Sequence, residues 1–171
     1  MDNHDHDKLL LWHTLHDLEA RYWHDVDFNC GRNAHEFYRP DGLMVVGHNR
    51  FEGRDKIREF YQWRERQTVN AVSSVKTMRH LISNLFVESS SERRATVLSI
   101  ISFYGASARP PVTQSKPPML VADLVSEWVS EGDNRWLFQS HVIRPVFMSD
   151  EAPLSIAVDT RRSTRGERQG A

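Results

Sequence analysis

The stretch TMRHLISN, Thr77 to Asn84, puts a histidine into apolar company. Read as a strand of period two, one parity carries Met78, His80, Ile82, Asn84 and Phe86, and the other carries Arg79, Leu81, Ser83, Leu85 and Val87. Both faces hold large apolar residues, so both are expected to pack on something. A histidine in such a row is either a satisfied core residue or a base at the bottom of a pocket. With an ordinary pKa of about 6.5, imidazole is well suited to take a proton at neutral pH. A second residue of this kind is Asp27, in VDFN, between Val26 and Phe28 near the end of a helical stretch. Burying a carboxylate without a partner costs on the order of several kcal/mol, so a partner is expected.

Aromatic residues that can wall a cavity with a polar tip are Tyr22, Trp23, Tyr38, Tyr61 and Tyr104. Most aromatics of the chain are expected in the core. Tyr22, just over one turn before Asp27, is the first candidate for a role beside it, and Tyr104 the second. His141, in FQSHVIRP, shares parity with Leu137, Ile143 and Phe147. It either lines the same pocket or points away. His48 is a candidate at the mouth. The N-terminal HDHD and the pair His13 and His16 lack the spacing of a preorganised metal site, so no metal is expected. No glycine-rich phosphate loop or nucleophile elbow occurs. Cys30 has no evident catalytic partner and is expected to be buried.

These residues need elements to position them. Leu11, Leu15, Leu18, Tyr22 and Val26 recur at helical spacing, which predicts a helix over about Lys8 to Phe28. A shorter helix is expected from Arg32 to Tyr38, ending at RPDG, then a strand from Leu43 to His48 and a turn at NRFEG. A third helix follows over RDKIREFYQWRERQ, with Ile57, Phe60, Tyr61 and Arg64 on one side. Strands are expected over Lys76–Ser89, Arg94–Ser107, Met119–Ser130 and Arg135–Met148, separated by turn signals. Helices first and strands later predict an α+β protein, with helices packed on a curved antiparallel meander.

The chain has 171 residues, a net charge of −1 and 39% hydrophobic residues, which suits one domain with a proper core. The balance of charge gives no nucleic-acid or membrane footprint. The single cysteine excludes an internal disulfide framework. The acidic start MDNHDHDKLLLW is unlike a signal peptide, so a cytoplasmic protein is expected. The domain is expected to span 1–149, and 150–171, rich in Arg, Ser and Gly, to be a largely disordered tail.

The segments LEARYWHDVDFNCGR, FYRPDGLMVV, FEGRDKIREFY, RHLISNLFVE and RWLFQSHVIRPVF, in this order, resemble the SnoaL-like branch of the nuclear-transport-factor-2-like (NTF2-like) superfamily. That branch resembles scytalone dehydratase and hexachlorocyclohexane dehydrochlorinase, alongside polyketide cyclases, ketosteroid isomerase and the small subunits of ring-hydroxylating dioxygenases. The resemblance implies an α+β cone with a central cavity. Two of these enzymes carry an Asp near the end of the first helix and a His shortly before an Asn or Gly on the first long strand. Asp27, His80 and Asn84 stand at those places, so the resemblance implies a His–Asp pair, with His80 as base and Asp27 orienting it. The dehydratase's further histidine on the next strand has no counterpart: SIISFYG carries Ser102 and Tyr104 there.

The expected function is cofactor-independent acid–base catalysis, a lyase or isomerase reaction on a small apolar or aromatic molecule. Tyr22 or Tyr104 would polarise the leaving group or an enolate-like oxygen. The rival expectations are a noncatalytic scaffold like the dioxygenase small subunit, and a ligand-binding module. A homo-oligomer, most simply a dimer, is expected from Leu81, Leu85, Val87 and Trp128, read as an apolar outer face.

Overall fold

A computed structural model describes residues 3–70, 77–114, 116–132 and 135–150. Apart from Asp150, the expected tail lies outside these residues, as does Lys76. Helix α1 spans Asn3–Phe28 and buries the stripe that includes Leu15, Tyr22, Trp23 and Val26. The turn after α1 is held by Asp25, whose carboxylate accepts the Asn33 N–H at 3.0 Å and the Asn29 side-chain amide at 2.7 Å. Gly31 adopts φ +73° in this turn, and a Cβ there would lie 2.2 Å from Cδ1 of Tyr61. Only glycine lets that ring close onto the backbone. Cys30, beside it, is half-buried rather than buried.

The expected second helix is a single 3-10 turn, Ala34–Phe37, leading into β1 (Tyr38–Val46). The expected turn at NRFEG is mostly a short strand, β2 (Asn49–Glu52), paired antiparallel to β1. Helix α2 (Arg54–Asn70) buries Ile57, Phe60 and Tyr61. Then come β3 (Thr77–Ser90), β4 (Arg94–Ala106), β5 (Leu120–Ser130) and β6 (Trp136–Met148).

The sheet has six strands in the order β2-β1-β6-β5-β4-β3. Strands β3 to β6 form the expected antiparallel meander. The sheet as a whole is mixed, because β1 joins β6 in parallel. That pairing needs a long crossover, which α2 and the meander supply. The core lies between the helices and the inner face of the sheet, with Met44, Ile101, Phe103, Leu124, Trp128 and Phe138 among its buried members.

Two irregularities reset the strand parities. At Asn84, with φ +53°, the β3–β4 register shifts between Ser83 and Phe86. Met78, His80 and Ile82 face inward before this bulge, and Leu85 and Val87 after it, leaving Phe86 exposed. In β6 the register shifts between Phe138 and Ser140, so Phe138 and His141 both face the core, while Phe147 near the strand end is exposed. Trp128 is not on the outer face: it is buried, its ring 3.8 Å from that of Phe138. No helix among the described residues is long and apolar enough to cross a membrane.

Candidate active site

The end of α1 and the start of β3 bring Asp27 and His80 together across 53 residues of sequence. Asp27 Oδ1 lies 2.6 Å from His80 Nδ1, and Oδ2 accepts the backbone N–H of His80 at 2.7 Å. Both side chains are almost fully enclosed. The imidazole is stacked on Trp23, with centroids 4.5 Å apart, and on Phe103, at 4.7 Å. With the carboxylate on Nδ1, the proton of the neutral ring sits there and Nε2 carries the lone pair. Burial pushes the His80 pKa below its ordinary value; the hydrogen bond and charge of Asp27 oppose that push, and Arg64 adds to it. The neutral ring that results at pH 7 is the form able to take a proton.

Two spaces flank the His80 ring. On the inner side is a cavity of about 30 Å³, walled by Trp23, Met44, Tyr61, Arg64, His80 and Ile143. That volume holds about one water. On the other side, between α1 and β3, runs a groove of about 330 Å³ whose walls include Glu19, Trp23, Asp27, Phe28, Arg79 and His80. The groove is of a size to take a small molecule. Arg79 roofs part of it, its guanidinium 4.1 Å from the Phe28 ring.

Behind the pair lies a buried polar chain. The Tyr22 hydroxyl is 2.5 Å from that of Tyr61 and 3.0 Å from that of Tyr38, and Tyr38 reaches His141 Nδ1 at 3.0 Å. On the far side of His141, Glu19 Oε2 is 3.6 Å from Nε2, and Glu19 Oε1 accepts the Ser126 hydroxyl at 2.5 Å. Burial pushes Tyr22 and Tyr38 well above the usual phenol range and Tyr61 up to about 12. Burial likewise pushes Glu19 up to about 7 and His141 down to about 3.

No protein-family model and no curated protein matches this sequence. Solved structures do match its fold. A candidate scytalone dehydratase from Novosphingobium aromaticivorans superposes with a TM-score of 0.67 at 18% identity, covering 83% of this chain and 88% of that one. A protein of unknown function from Mycobacterium tuberculosis gives 0.68 at 19%, covering 94% and 84%. A hexachlorocyclohexane dehydrochlorinase gives 0.63 at 15%, covering 85% and 91%. The fold is the NTF2-like cone. At these identities the likeness establishes architecture and leaves chemistry to the residues.

Within this NTF2-like fold the residues singled out in the sequence divide into groups. His80 and Trp23 line both spaces, Asp27 lines the groove, and Tyr61 lines the inner cavity. Tyr22, Tyr38 and His141 are fully buried behind them and connect to the cavity wall through the Tyr22 hydroxyl, which meets the Tyr61 hydroxyl and, at 3.8 Å, the Met44 sulfur. Tyr104 faces away from Phe103, is exposed, and lines a separate shallow pocket with Met78 and Val112. His48 is exposed in the turn between β1 and β2. Asn84 is exposed at the bulge, where its backbone carries the irregularity. Glu19 was not singled out in the sequence. Its signal was available: it falls four residues after Leu15 and three before Tyr22, on the apolar stripe of α1. Among the described residues no group of His, Cys, Asp and Glu is arranged to hold a metal ion.

Proposed function

We propose that this chain catalyses cofactor-independent acid–base chemistry on a small apolar or aromatic molecule, as a lyase that eliminates water or another leaving group, or as an isomerase. The observation that carries the reading is the Asp27–His80 contact in the wall of a groove large enough for a substrate. His80 Nε2 takes a proton from carbon, and the C–H electron pair becomes the new double bond. In an elimination the leaving group departs with its bonding pair; in an isomerisation the proton returns at another carbon. Asp27 offsets the charge that His80 gains. Tyr22 acts through Tyr61, whose hydroxyl it holds and which lines the inner cavity beside His80, to polarise a leaving group or an enolate-like oxygen small enough to enter that cavity from the groove. Two of the structural neighbours are described as a scytalone dehydratase candidate and a dehydrochlorinase, names that denote eliminations.

The test is a panel of small aromatic alcohols, ketones and halides incubated with the protein in D2O. Elimination products or deuterium uptake at carbon are expected with the wild type and absent with His80→Ala. A second reading, a ligand-binding module or scaffold, is favoured by the small size of the inner cavity beside His80. Panel members that raise the melting temperature without reacting or exchanging would select it.

A further inference from the structure

Glu19 is 1% exposed, yet it sits mid-helix among core residues and takes no part in the chemistry assigned to Asp27 and His80. It shares a stripe of α1 with Trp23 and Asp27, at intervals of four residues. Its Oε2 and the facing Nε2 of His141 are both sealed from solvent, and neither has a hydrogen-bond partner. Buried polar atoms left open in this way are costly, and a proton between the two relieves both.

The donors along the chain can be assigned in two ways. Glu19 Oε2 and His141 Nε2 stand 3.6 Å apart, so the first link forms when the two approach to hydrogen-bond distance. If Glu19 is then a carboxylic acid, it donates to His141 Nε2, and His141 Nδ1–H donates to Tyr38. Tyr38 then donates to Tyr22, Tyr22 to Tyr61, and the Tyr61 O–H is left pointing toward the inner cavity, with only the soft Met44 sulfur at 3.9 Å as acceptor. If Glu19 is ionised, every bond reverses: His141 Nε2–H donates to the carboxylate, and Tyr61 donates back to Tyr22. Its oxygen then offers the cavity an acceptor. In both arrangements Ser126 donates to Glu19 Oε1. The two differ by one proton, which leaves Glu19 as another emerges at Tyr61.

We propose that Glu19 is a proton store whose proton is relayed through His141, Tyr38 and Tyr22 to the Tyr61 hydroxyl, making the chain the acid arm opposite His80. The use of that proton on a leaving group rests on the function proposed above; the relay itself does not. The stoichiometry closes: His80 gains the substrate's proton, Tyr61 gives one to the leaving group, and Glu19 ends as a carboxylate. His80 and Tyr61 both line the inner cavity, so the proton that His80 gains returns to Glu19 by the same chain run backwards, through Tyr61, Tyr22, Tyr38 and His141. The groups facing Glu19 are Trp23 on its own helix, Ser126 on β5 and His141 on β6.

The experiment needs no substrate. NMR of the full chain from pH 5 to 9 would follow the nitrogen resonances of His141 and the Cζ resonance of Tyr61. In the wild type, His141 is expected to pass from the Nδ1–H to the Nε2–H tautomer as Glu19 ionises, with Tyr61 shifting at the same midpoint. In Glu19→Gln, whose amide can still donate to His141, both signals should stay flat. In Tyr22→Phe, His141 should still switch while Tyr61 stays flat. A Tyr61 signal that is flat in the wild type, or that still titrates in Glu19→Gln, overturns the relay. Neither result depends on whether an elimination is ever observed.

Discussion

Asp27 grips His80 at two points, one carboxylate oxygen on the ring at 2.6 Å and the other on the backbone N–H at 2.7 Å. A single hydrogen bond would leave the ring free to swing; two contacts from one rigid group fix both the strand position and the imidazole plane. Trp23 and Phe103 complete the clamp by stacking on the ring. Removing the ring should therefore remove the base without removing the scaffold. His80→Ala is expected to abolish turnover of any substrate found, with the folded circular-dichroism spectrum retained. A variant at near-native rate would mean that another group takes the proton.

Asp27→Asn keeps the shape and removes the charge. The amide no longer offsets the imidazolium, and its NH₂ can favour the wrong tautomer. A loss of about 10²–10⁴-fold in kcat/KM is expected. Asp27 raises the His80 pKa against the lowering effect of burial. Without it that pKa falls, so the rising limb of the pH–rate profile moves to lower pH. Rates from pH 5 to 9 for both proteins check this, and an unmoved limb with an unchanged rate would sink the pair.

The burial of Glu19 has a consequence for stability. Its pKa rises from 4.5 to about 7 on folding, so its contribution is fully present below 4.5 and is lost as pH rises toward 7. That loss is on the order of 3 kcal/mol at most. His141 works in the opposite sense: lowered from 6.5 to about 3, it contributes above 6.5 and loses that contribution as pH falls. Melting temperatures across pH 4 to 8 should separate the two. Glu19→Gln is expected to lose the decline between 4.5 and 7 and keep the acid-side loss.

Gly31 is a mechanical test of the Tyr61 position. Alanine there meets the Tyr61 ring and a backbone at φ +73°. Gly31→Ala is expected to destabilise the fold by about 1–3 kcal/mol and to displace the ring. Chemical denaturation gives the first quantity, and the Tyr61 ring resonances report the second.

Leu81 and Phe86 are both about half exposed on β3, and the large apolar residue Phe147 on β6 is more so. We propose that this apolar surface is covered in a homodimer. Light scattering at micromolar concentration is expected to report a dimer for the wild type and a shift toward monomer for Leu81→Arg. A wild-type monomer would refute the assignment.

The sequence by itself determined the elements and much of their order. The helical spacing of Leu11 to Val26 marked α1, and the alternation of β4 is the buried-and-half-buried pattern that the fold displays. Both are local: a period reports which side of an isolated element is apolar. Asp27 and His80 were visible as a carboxylate and an imidazole in apolar surroundings. What the tertiary structure alone decided lies where the period breaks or where a partner comes from far along the chain. The bulge at Asn84 exchanged Phe86 for Leu85 and Val87, and the irregularity near Gln139 turned Phe138 and His141 to one side. A bulge depends on the register of the neighbouring strand, which no single strand encodes. The parallel seat of β1 beside β6, and the enclosure of Glu19 by Ser126 and His141 from β5 and β6, follow from packing between segments about a hundred residues apart. A carboxylate's burial is settled by the partners that surround it, and those are brought together only when the sheet closes over the helix.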